Sequence, residues 1–359
     1  MFYSVLTKIK VVTTFAVSMV FLSACTNASS INTRPAHHTD NGFKNIYIDD
    51  PDKGFMDFVK MRFFGEEWID PSPYADQIPW QPLDLERVNS PSPNPKISWL
   101  GHSTFLIQFN GINLLTDPAF ADRVSPFSFA GPKRYTKHTI DYNQLPQIDY
   151  VVISHNHYDH LDSQAINVLN NQTTPPTYFV PLGLKQWLLD NAIPALSIHE
   201  MDWYESKTEN RLKIDAYPSQ HWSARGLFDR FETLWASWRL ELDGFSLWFA
   251  GDTGYNEQLF TELGEKMPAV DVSLIPIGAY APRSFMKTYH TNPEESVLIH
   301  QLIKTKTSIG MHWGTYPLTA EAPTEPPIKL KEAIQKYQVN KDDFIVMSLG
   351  ETLLINMDK

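Results

Sequence analysis

Apolar and polar positions form a regular pattern from residue 96 onwards, and this pattern predicts sheets. Apolar segments over 96–100, 104–109 and 112–116 are separated by a Gly-His-Ser turn and an Asn-Gly pair, as is typical of strands joined by tight turns. Nine later segments also look like strands, with helical patterns between several of them: YVVIS, TYFVP, LKIDAYP, TLWASWRLEL, FSLWFA, VSLIPI, TSIGMHW, DFIVMSL and TLLINM. This mixture favours an α/β fold in which helices cover two sheets packed face to face, although periodicity alone leaves the order of the layers open.

The first 25 residues have the pattern of a processing signal. Lys8 and Lys10 form a basic start, residues 11–24 are uncharged, and Leu-Ser-Ala-Cys follows at 22–25. The uncharged stretch is too short for an ordinary membrane span. Because Leu-Ser-Ala-Cys resembles a bacterial lipobox, we predict that residues 1–24 are a lipoprotein signal peptide. An ordinary leader or a short buried helix is the alternative interpretation.

Cys25 would then be the acylated first residue of the mature protein. Its lipid would anchor the protein to a membrane, which predicts a membrane-anchored lipoprotein of the bacterial cell envelope. Cys25 is also the only cysteine of the chain, so the mature protein cannot form an internal disulfide.

Two segments lie between the predicted anchor and the regular pattern. Residues 25–45 are polar and rich in turn-forming residues, which predicts a flexible tether. Residues 46–95 form an N-terminal extension that ends in a proline-rich, irregular stretch over 71–95. Within it, GFMDFVKMRFFGEEW favours a helix whose apolar face packs on the main domain, and contact of that face with a membrane is the alternative. The main domain is residues 96–359.

Composition and charge limit the classes of molecule that this protein is expected to bind. The chain of 359 residues has 30 basic and 41 acidic side chains, which gives a net charge of −11. Loss of residues 1–24 removes two lysines and leaves 28 basic against 41 acidic residues, or −13. The chain has no basic block of the kind that neutralises nucleic-acid phosphates, so no nucleic-acid partner is expected. The oligomeric state stays open at this point.

A cluster of possible metal ligands follows the strand predicted at YVVIS. It has the spacing His155-x-His157-x-Asp159-His160. Imidazole and carboxylate are ligands that zinc prefers. Side chains one residue apart point the same way only while the chain is extended, so Asp159 and His160 diverge from the first two histidines where the loop turns. One short segment is thus able to serve two neighbouring metal ions, and a solvated histidine-rich loop is the alternative.

Three more possible ligands lie directly after apolar strands. They are His221 in YPSQHWSARG, Asp252 in LWFAGDTGY and His312 in SIGMHWGTY. Each alone is typical of a polar residue with local hydrogen bonds at the end of a strand. Together with the first cluster they make seven ligands, which is enough for two metal ions that share one carboxylate.

Longer segments make the pattern specific. In chain order over residues 96–356 they are WLGHSTFLI, LLTDPAFADRVSPFSFAGPKRY, LPQIDYVVISHNHYDHLD, HWSARG, FAGDTGY, IPIGAYAPR, HTNPEESVLIH and MHWGTY. They resemble the metallo-β-lactamase superfamily and, within it, the N-acylphosphatidylethanolamine-hydrolysing phospholipase D family. The resemblance implies a four-layered αβ/βα sandwich with a metal site along one edge.

The resemblance also implies a role for each ligand and a reaction. It places His155, His157 and His221 on one zinc ion and Asp159, His160 and His312 on a second, with Asp252 as the bridge. Two zinc ions per chain would use a metal-bridging hydroxide to hydrolyse a phosphodiester, and Asp159 would take part in catalysis. The implied products of N-acylphosphatidylethanolamine-like phospholipids are phosphatidic acid and an N-acylethanolamine.

Candidate substrate contacts lie near the ligands. His290 matches a family position near the reacting phosphate, where it would orient the substrate or assist proton transfer; helix capping is the alternative. The loop over 120–138 combines aromatic residues with Lys133 and Arg134, which suits acyl chains beside a phosphate, and packing of this loop on the core is the alternative. Tyr158, within the metal motif, is a fourth candidate substrate contact.

Asp117 and His102 follow neighbouring strands. Each is a candidate for orienting a metal-binding histidine by a hydrogen bond, because such histidines usually donate their other ring N–H to a nearby acceptor. Capping of a turn is the alternative for both residues.

Three functions from different classes fit these residues. The first is a zinc phosphodiesterase that acts on phospholipids, with the membrane reached through Cys25. The second is a binuclear hydrolase of another ester or a lactone. The third is a non-catalytic envelope lipoprotein that binds lipid.

Overall fold

The computed structural model describes residues 34–51, 54–65 and 68–357. The predicted signal peptide and Cys25 lie outside the described residues. The helices are α1 Phe55–Phe64, α2 Leu85–Asn89, α3 Ser163–Asn170, α4 Lys185–Asp190, α5 Glu257–Lys266, α6 Arg283–Met286, α7 Pro293–Ile303 and α8 Glu325–Lys336. Short 3-10 helices span Ser72–Gln77, Tyr142–Gln144 and Ala195–Ser197.

The strands are β1 His38–Thr39, β2 Gly42–Phe43, β3 Lys96–Gly101, β4 Thr104–Phe109, β5 Ile112–Thr116, β6 Tyr150–Val152, β7 Thr177–Pro181, β8 Ile198–Met201, β9 Ser206–Glu209, β10 Leu212–Tyr217, β11 Ser237–Leu242, β12 Phe245–Phe249, β13 Val272–Pro276, β14 Thr307–Met311, β15 Phe344–Ile345 and β16 Thr352–Leu354. All strands predicted from residue 96 onwards are present. β8 and β9 were not predicted, because their short, partly exposed sequences IHEM and SKTE lack an apolar run.

The strands form two large mixed sheets. The first has the order β16-β3-β4-β5-β6-β7-β8 and the second has the order β15-β14-β13-β12-β11-β10-β9. In each sheet an antiparallel half is joined to a parallel half, at β5 in the first sheet and at β12 in the second. The first half of the chain therefore builds one sheet and the second half builds the other, except that β16 returns to pair with β3.

Alternate residues of the central strands face two different hydrophobic cores. In β4, Phe105 and Ile107 belong to the core that joins the two sheets, whereas Leu106 belongs to the core beneath α3 and α4. In β6, Val152 and Val151 divide between the two cores in the same way. These strands are apolar on both faces because both faces are covered.

Helices cover the outer face of each sheet. α3 buries Ala165, Ile166 and Leu169 against the first sheet. α5, α7 and α8 share the second sheet's core, and α7 contacts both α5 and α8. The layers are therefore helix, sheet, sheet and helix, which confirms the predicted four-layered αβ/βα sandwich.

The N-terminal segment is ordered on the main domain from Ala36, within the segment predicted as a flexible tether. β1 and β2 form a hairpin, and His37 and Asn45 are buried. The reason is a set of long-range polar contacts that composition does not show, among them hydrogen bonds from His37 and His38 to Asp202.

The helix predicted in GFMDFVKMRFFGEEW is present as α1, but its packing differs from the favoured expectation. Met61 is buried, whereas Met56, Phe63 and Phe64 are exposed. Most of the apolar surface of α1 thus faces away from the core. Within the described residues no helix is both long enough and apolar enough to span a membrane.

Candidate metal centre

The seven predicted ligands meet at one edge of the sandwich. His155 follows β6, His221 follows β10, Asp252 follows β12, and His312 comes directly after β14. Because these strands come from both sheets, their ends bring the ligands together from opposite sides of the central core. His155, His160, His221, Asp252 and His312 are all buried.

Three histidines form the first group of ligand atoms. His155 Nε2 lies 2.7 Å from His157 Nδ1, and His157 Nδ1 lies 3.3 Å from His221 Nε2. Donor atoms that bind zinc tetrahedrally at about 2.0–2.1 Å are roughly 3.3 Å apart. The three ligand atoms are therefore close enough together to bind one zinc-sized ion.

The second group combines two histidines with two carboxylates. His160 Nε2 lies 3.2 Å from His312 Nε2 and 3.3 Å from both Asp159 Oδ2 and Asp252 Oδ2. His312 Nε2 lies 3.5 Å from Asp159 Oδ2 and 3.1 Å from Asp252 Oδ2. These separations match the edges of a tetrahedron around a zinc-sized ion.

Asp252 lies between the two groups. Its Oδ2 contacts the second group and is also 3.8 Å from His221 Nε2 of the first group. Its Oδ1 is buried without a hydrogen-bond partner among the described residues. A carboxylate in this place is suited to bridge two cations.

Hydrogen bonds on the far side of three imidazoles fix which nitrogen faces the centre. His221 Nδ1 donates to the carbonyl oxygen of Tyr289 at 3.0 Å, and His160 Nδ1 donates to Asp117 Oδ2 at 2.6 Å. Ser154 Oγ donates to the same Asp117 oxygen, so it accepts from His155 Nδ1 at 2.8 Å. In the neutral rings of His155 and His221 the Nε2 lone pair then faces the other ligands. Burial opposes the charged form of His160, but the carboxylates of Asp252, Asp159 and Asp117 outweigh it and raise its pKa well above the usual value.

Lone pairs and carboxylate oxygens that face one another require positive charge between them. Metal ions at the two groups would meet this requirement for all seven ligands. The residues present therefore fit a binuclear metal site, on the basis of donor chemistry and spacing.

The protonation of the ligands agrees with this fit. Burial lowers the pKa of His155 and His221 well below the usual value and that of His157 to about 3, so these rings are neutral. Burial also opposes the charged form of His312, but the carboxylates of Asp252 and Asp159 outweigh it and raise its pKa to about 9. Without a metal ion, a proton on His312 would supply part of the missing charge.

Three residues at this edge have strained backbone conformations. His102, Asp117 and His312 are non-glycine residues with positive φ values of 53°, 32° and 62°. The main-chain N–H of His312 donates to the carbonyl oxygen of His102 at 3.1 Å, which joins two of these residues. Such conformations persist where surrounding contacts hold them, and they are common at functional sites.

Asp117 and His102 have different places around the ligands. Asp117 contacts His160, a predicted metal-binding histidine, together with Ser154. His102 Nε2 donates instead to Asp159 Oδ2 at 2.9 Å, so its partner is a carboxylate ligand. Ser154 was not singled out in the sequence, although its position directly before His155 in the motif is the signal that could have found it.

The candidate substrate contacts do not all reach the centre. His290 does: its Nδ1 lies 3.8 Å from Asp252 Oδ2. Tyr158 is half-buried and donates to the carbonyl oxygen of Arg225 at 2.9 Å. Lys133 is exposed on its loop, whereas Arg134 is buried and donates to Ala119 and Tyr316. In this structure the Arg134 side chain therefore fixes the position of its own loop.

The sequence of this chain is similar to those of several known proteins. A family model described as "Beta-lactamase superfamily domain" matches residues 112–313. N-acyl-phosphatidylethanolamine-hydrolyzing phospholipase D 1 of Caenorhabditis elegans is 43% identical over 263 residues, which are 71% of this chain and 74% of that protein. The mitochondrial N-acyl-phosphatidylethanolamine-hydrolyzing phospholipase D of Saccharomyces cerevisiae is 34% identical over 261 residues, which are 71% of this chain and 55% of that protein.

A solved structure shares the fold. Igni18, a metallo hydrolase from the archaeon Ignicoccus hospitalis, has a TM-score of 0.56 at 22% sequence identity. The similarity covers 74% of this chain and 99% of that one. At this identity the similarity concerns the arrangement of sheets and helices.

The sandwich fold, the buried ligands and these similarities define a metal-dependent hydrolase. Within that class, the chain belongs to the metallo-β-lactamase superfamily and to its family of N-acylphosphatidylethanolamine-hydrolysing phospholipases D.

Replacement of the bridging carboxylate tests the metal centre. An Asp252→Asn variant should bind fewer metal ions per chain than the unchanged protein, because an amide cannot supply the negative charge shared by both groups. Metal content after dialysis, measured by plasma mass spectrometry, is the readout. The control is Asp243→Asn, whose carboxylate pairs with Arg211 at the surface. Equal metal content in both variants would contradict the assignment of Asp252.

Proposed function

We propose that this protein is a binuclear zinc phosphodiesterase of the phospholipase D type. Its substrate would be N-acylphosphatidylethanolamine or a related phospholipid, and its products phosphatidic acid and N-acylethanolamine. The observation that carries the proposal is the pair of ligand groups joined by Asp252. The names of the nematode and yeast relatives, at 43% and 34% identity, supply the substrate class.

The two groups of ligand atoms support a division of the ligands between two ions. His155, His157 and His221 would hold one zinc ion, and Asp159, His160 and His312 the other. When bound, the two ions would lower the pKa of a water molecule and neutralise the phosphodiester charge. Asp117 and Ser154 would keep His160 and His155 in the tautomers that present Nε2 to the ions.

His290 is placed to act on the substrate. Burial lowers its pKa to about 4 even though Asp252 lies nearby, so the ring is neutral near pH 7. A neutral imidazole has one N–H donor and one acceptor nitrogen. It could therefore orient the phosphate through its N–H, or take a proton from the attacking water at its acceptor nitrogen and pass that proton to the head-group oxygen when the phosphorus–oxygen bond breaks.

Exposed apolar side chains support a lipid substrate, and some lie beside residues 155–162, which we call the metal loop. Arg225 Nη1 donates to the carbonyl oxygens of Asn156 and Leu161, which ties the segment after His221 to the metal loop. Leu227 and Phe228 follow directly, and Phe228 is 92% exposed. These side chains are therefore available beside the mouth of the site.

Two further apolar segments adjoin the mouth. In the loop over 120–138, Val124 packs with Tyr158 and Tyr316, and Phe129 of the same loop is 80% exposed. On the side of His290, Phe64 of α1 is 82% exposed and lines a groove shared with residues 282–285. We call Phe64, Phe127, Phe129, Leu227 and Phe228 the apolar rim.

The apolar rim suits contact with the surface of a bilayer. Large apolar side chains that a folded domain leaves exposed often mark a binding surface, and aromatic side chains are favoured at a membrane interface. An enzyme that acts on phospholipids needs such a surface to bring its cleft to the head groups. The apolar rim thus favours a lipid over a small water-soluble ester.

The N-terminal boundaries belong to the same proposal. Residues 1–24 would be removed as a signal peptide, and a lipid on Cys25 would hold the enzyme at the bacterial cell envelope. The segment to about residue 35 would act as the tether, followed by the N-terminal extension to residue 95 and the hydrolase domain over 96–359. The lipobox-like sequence Leu-Ser-Ala-Cys supports this organisation.

A lipid assay tests the reaction. The purified mature protein should release N-acylethanolamine and phosphatidic acid from N-acylphosphatidylethanolamine, and a chelator should stop the release until zinc is added back. Mass spectrometry of both products identifies which bond is broken. Zinc-loaded protein that leaves this lipid intact but opens a lactone would show that the second function is correct. A protein that binds lipid without any hydrolysis would favour the third.

Removal of two aromatic side chains tests the apolar rim. The double variant Phe129→Ser and Phe228→Ser should bind lipid vesicles at least ~10-fold more weakly, since each buried aromatic contributes roughly 1.5–3 kcal/mol. Hydrolysis of the lipid in vesicles should fall with binding, and hydrolysis of a short-chain soluble analogue should be retained. Vesicle co-sedimentation and parallel kinetic assays give the two readouts.

The chain offers a matched control for the apolar rim. Leu196 is 94% exposed in the 3-10 helix that precedes β8. It lies at the start of a strand in the parallel half of the first sheet, whereas the metal loop lies after the end of β6. Leu196→Ser should leave vesicle binding unchanged. Equal losses in control and double variant would rule out a specific role for the apolar rim.

Replacement of the proposed lipidation site tests the anchor. In bacteria that make the full chain, Cys25→Ser should move the protein from the membrane fraction to the soluble fraction, because the acyl chains are lost. Mass spectrometry of the mature N-terminus should find a diacyl or triacyl cysteine only in the unchanged protein. Thr26→Ser is the control. A mature protein that begins elsewhere with an unmodified residue would contradict the lipoprotein assignment.

A further inference from the structure

The N-terminal strap, defined as residues 36–50, is seated on the segment that follows His221. The main-chain N–H of Phe43 donates to the carbonyl oxygen of Phe231 at 2.8 Å. Gly42 has a φ of 144°, and a Cβ at this position would lie 2.1 Å from the same oxygen. Only glycine permits this close approach of the two backbones.

Two histidines fasten the start of the strap. His37 Nε2 lies 2.6 Å from Asp202 Oδ1, and His38 Nε2 lies 2.7 Å from Asp202 Oδ2, so one carboxylate pairs with both rings. The His37 ring also stacks on Trp203, with 4.2 Å between ring centroids. The strap is therefore held at its beginning by contacts that are separate from the metal centre.

Asn45 connects the strap to a metal ligand. Its side chain is buried, and Nδ2 donates to the main-chain carbonyl oxygen of His221 at 2.8 Å. The same Nδ2 donates to Asp50 Oδ1 at 2.6 Å, and the Asn45 main-chain N–H donates to Asp50 Oδ2 at 3.1 Å. Asp50 thus fixes the orientation of the Asn45 amide.

Asp50 reaches the imidazole of His221 by a second route. The Tyr289 hydroxyl donates to Asp50 Oδ1 at 3.0 Å. The Tyr289 carbonyl oxygen in turn accepts the hydrogen bond from His221 Nδ1 at 3.0 Å. Tyr289 also precedes His290, so its position affects two residues of the centre.

We propose that Asn45 and Asp50 are positioning residues that set the orientation of the metal-binding His221 and, through Tyr289, of His290. The strap holds His221 at two points, its main-chain oxygen through Asn45 and its ring N–H through Tyr289. A ring held at both points keeps Nε2 directed at the other ligands, and partners of this kind commonly change metal affinity by ~10–100-fold. This inference rests on the proposed metal centre.

A purely structural role would predict a different outcome. If the strap only packs on the domain, loss of one of its hydrogen bonds would lower the free energy of unfolding and leave the metal centre of the folded protein unchanged. A positioning role changes the metal centre in protein that remains folded. The readouts must therefore report on the metal ions and on folding separately.

Two variants of the full chain separate these roles. Asn45→Ala removes the side-chain hydrogen bonds to the His221 carbonyl and to Asp50. Tyr289→Phe removes the hydrogen bonds that the hydroxyl makes with Asp50 and Arg230 and keeps the carbonyl that His221 uses. We expect Asn45→Ala to weaken zinc binding by ~10–100-fold in competition with a chromogenic chelator, and Tyr289→Phe to weaken it less. The cobalt-substituted proteins should show altered visible absorption bands, because the geometry of the three-histidine group changes.

The control variant is Asn110→Ala, which removes a surface hydrogen bond from Asn110 to Asp243. It should keep the zinc affinity and the cobalt spectrum of the unchanged protein. Thermal unfolding of each metal-free protein shows whether it is folded.

Folded Asn45→Ala and Tyr289→Phe proteins with unchanged zinc affinity and cobalt spectrum would overturn the positioning role. In that outcome the proposed function would stand as long as the unchanged protein binds two metal ions. An unchanged protein that binds no metal would overturn the metal centre itself, and the positioning role with it. The two failures are therefore distinguishable.

Discussion

The structure depends on how buried negative charge is compensated at one edge of the sandwich. Asp159 and Asp252 hold their carboxylates among the imidazoles of His160 and His312, with ligand atoms 3.1–3.5 Å apart. A buried charge without a partner costs several kcal/mol, so this arrangement is stable only when cations or protons compensate it. A pair of metal ions would satisfy the carboxylates and the neutral rings of the first group together. The surrounding hydrogen bonds hold the ligand side chains in the orientations that such ions would need.

The two sheets supply that frame by bringing strand ends together. Each sheet contributes ligands from loops after its strands, and the core between the sheets fixes the distance across which the ligands meet. The strained conformations of His102, Asp117 and His312 lie at the same edge. Strain of this kind is tolerated because rigid strands and the contacts around Asp117 leave these residues little freedom.

Most of the site could be predicted from the sequence, because each ligand lies in or directly after a short, recognisable segment. Strand patterns followed by His, Asp and a short motif were sufficient to select all seven residues that the structure brings together. The strands from residue 96 were also predictable, since alternation and apolar runs report burial directly. The stacking of layers became clear only through the family resemblance, because periodicity does not specify which sheet packs on which helix.

Other features depend on contacts between distant parts of the chain. Asn45 meets His221 across 176 residues, and no pattern around Asn45 marks it as a partner. The polar composition of 25–45 resembles a tether even though His37 and His38 pair with Asp202. Arg134 reads as a phosphate contact from its charge, but its burial follows from the path of a loop. The exposed apolar face of α1 was also not predictable, since the helical pattern does not show whether that face packs on the main domain.

The return of β16 to the first sheet affects how the protein folds. Ser98 of β3 and Thr352 of β16 share a hydrogen bond across 254 residues, so an edge pairing of the first sheet waits for nearly the whole chain. Until then, the backbone groups of β3 on that side have no strand partner, and β3 leads into the turn that holds His102. Non-local pairings of this kind slow folding and expose strand edges to other chains. The part of the ligand-bearing edge that β3 forms is thus expected to be among the last parts to be completed, and its pairing with β16 is the step of folding most open to misassembly.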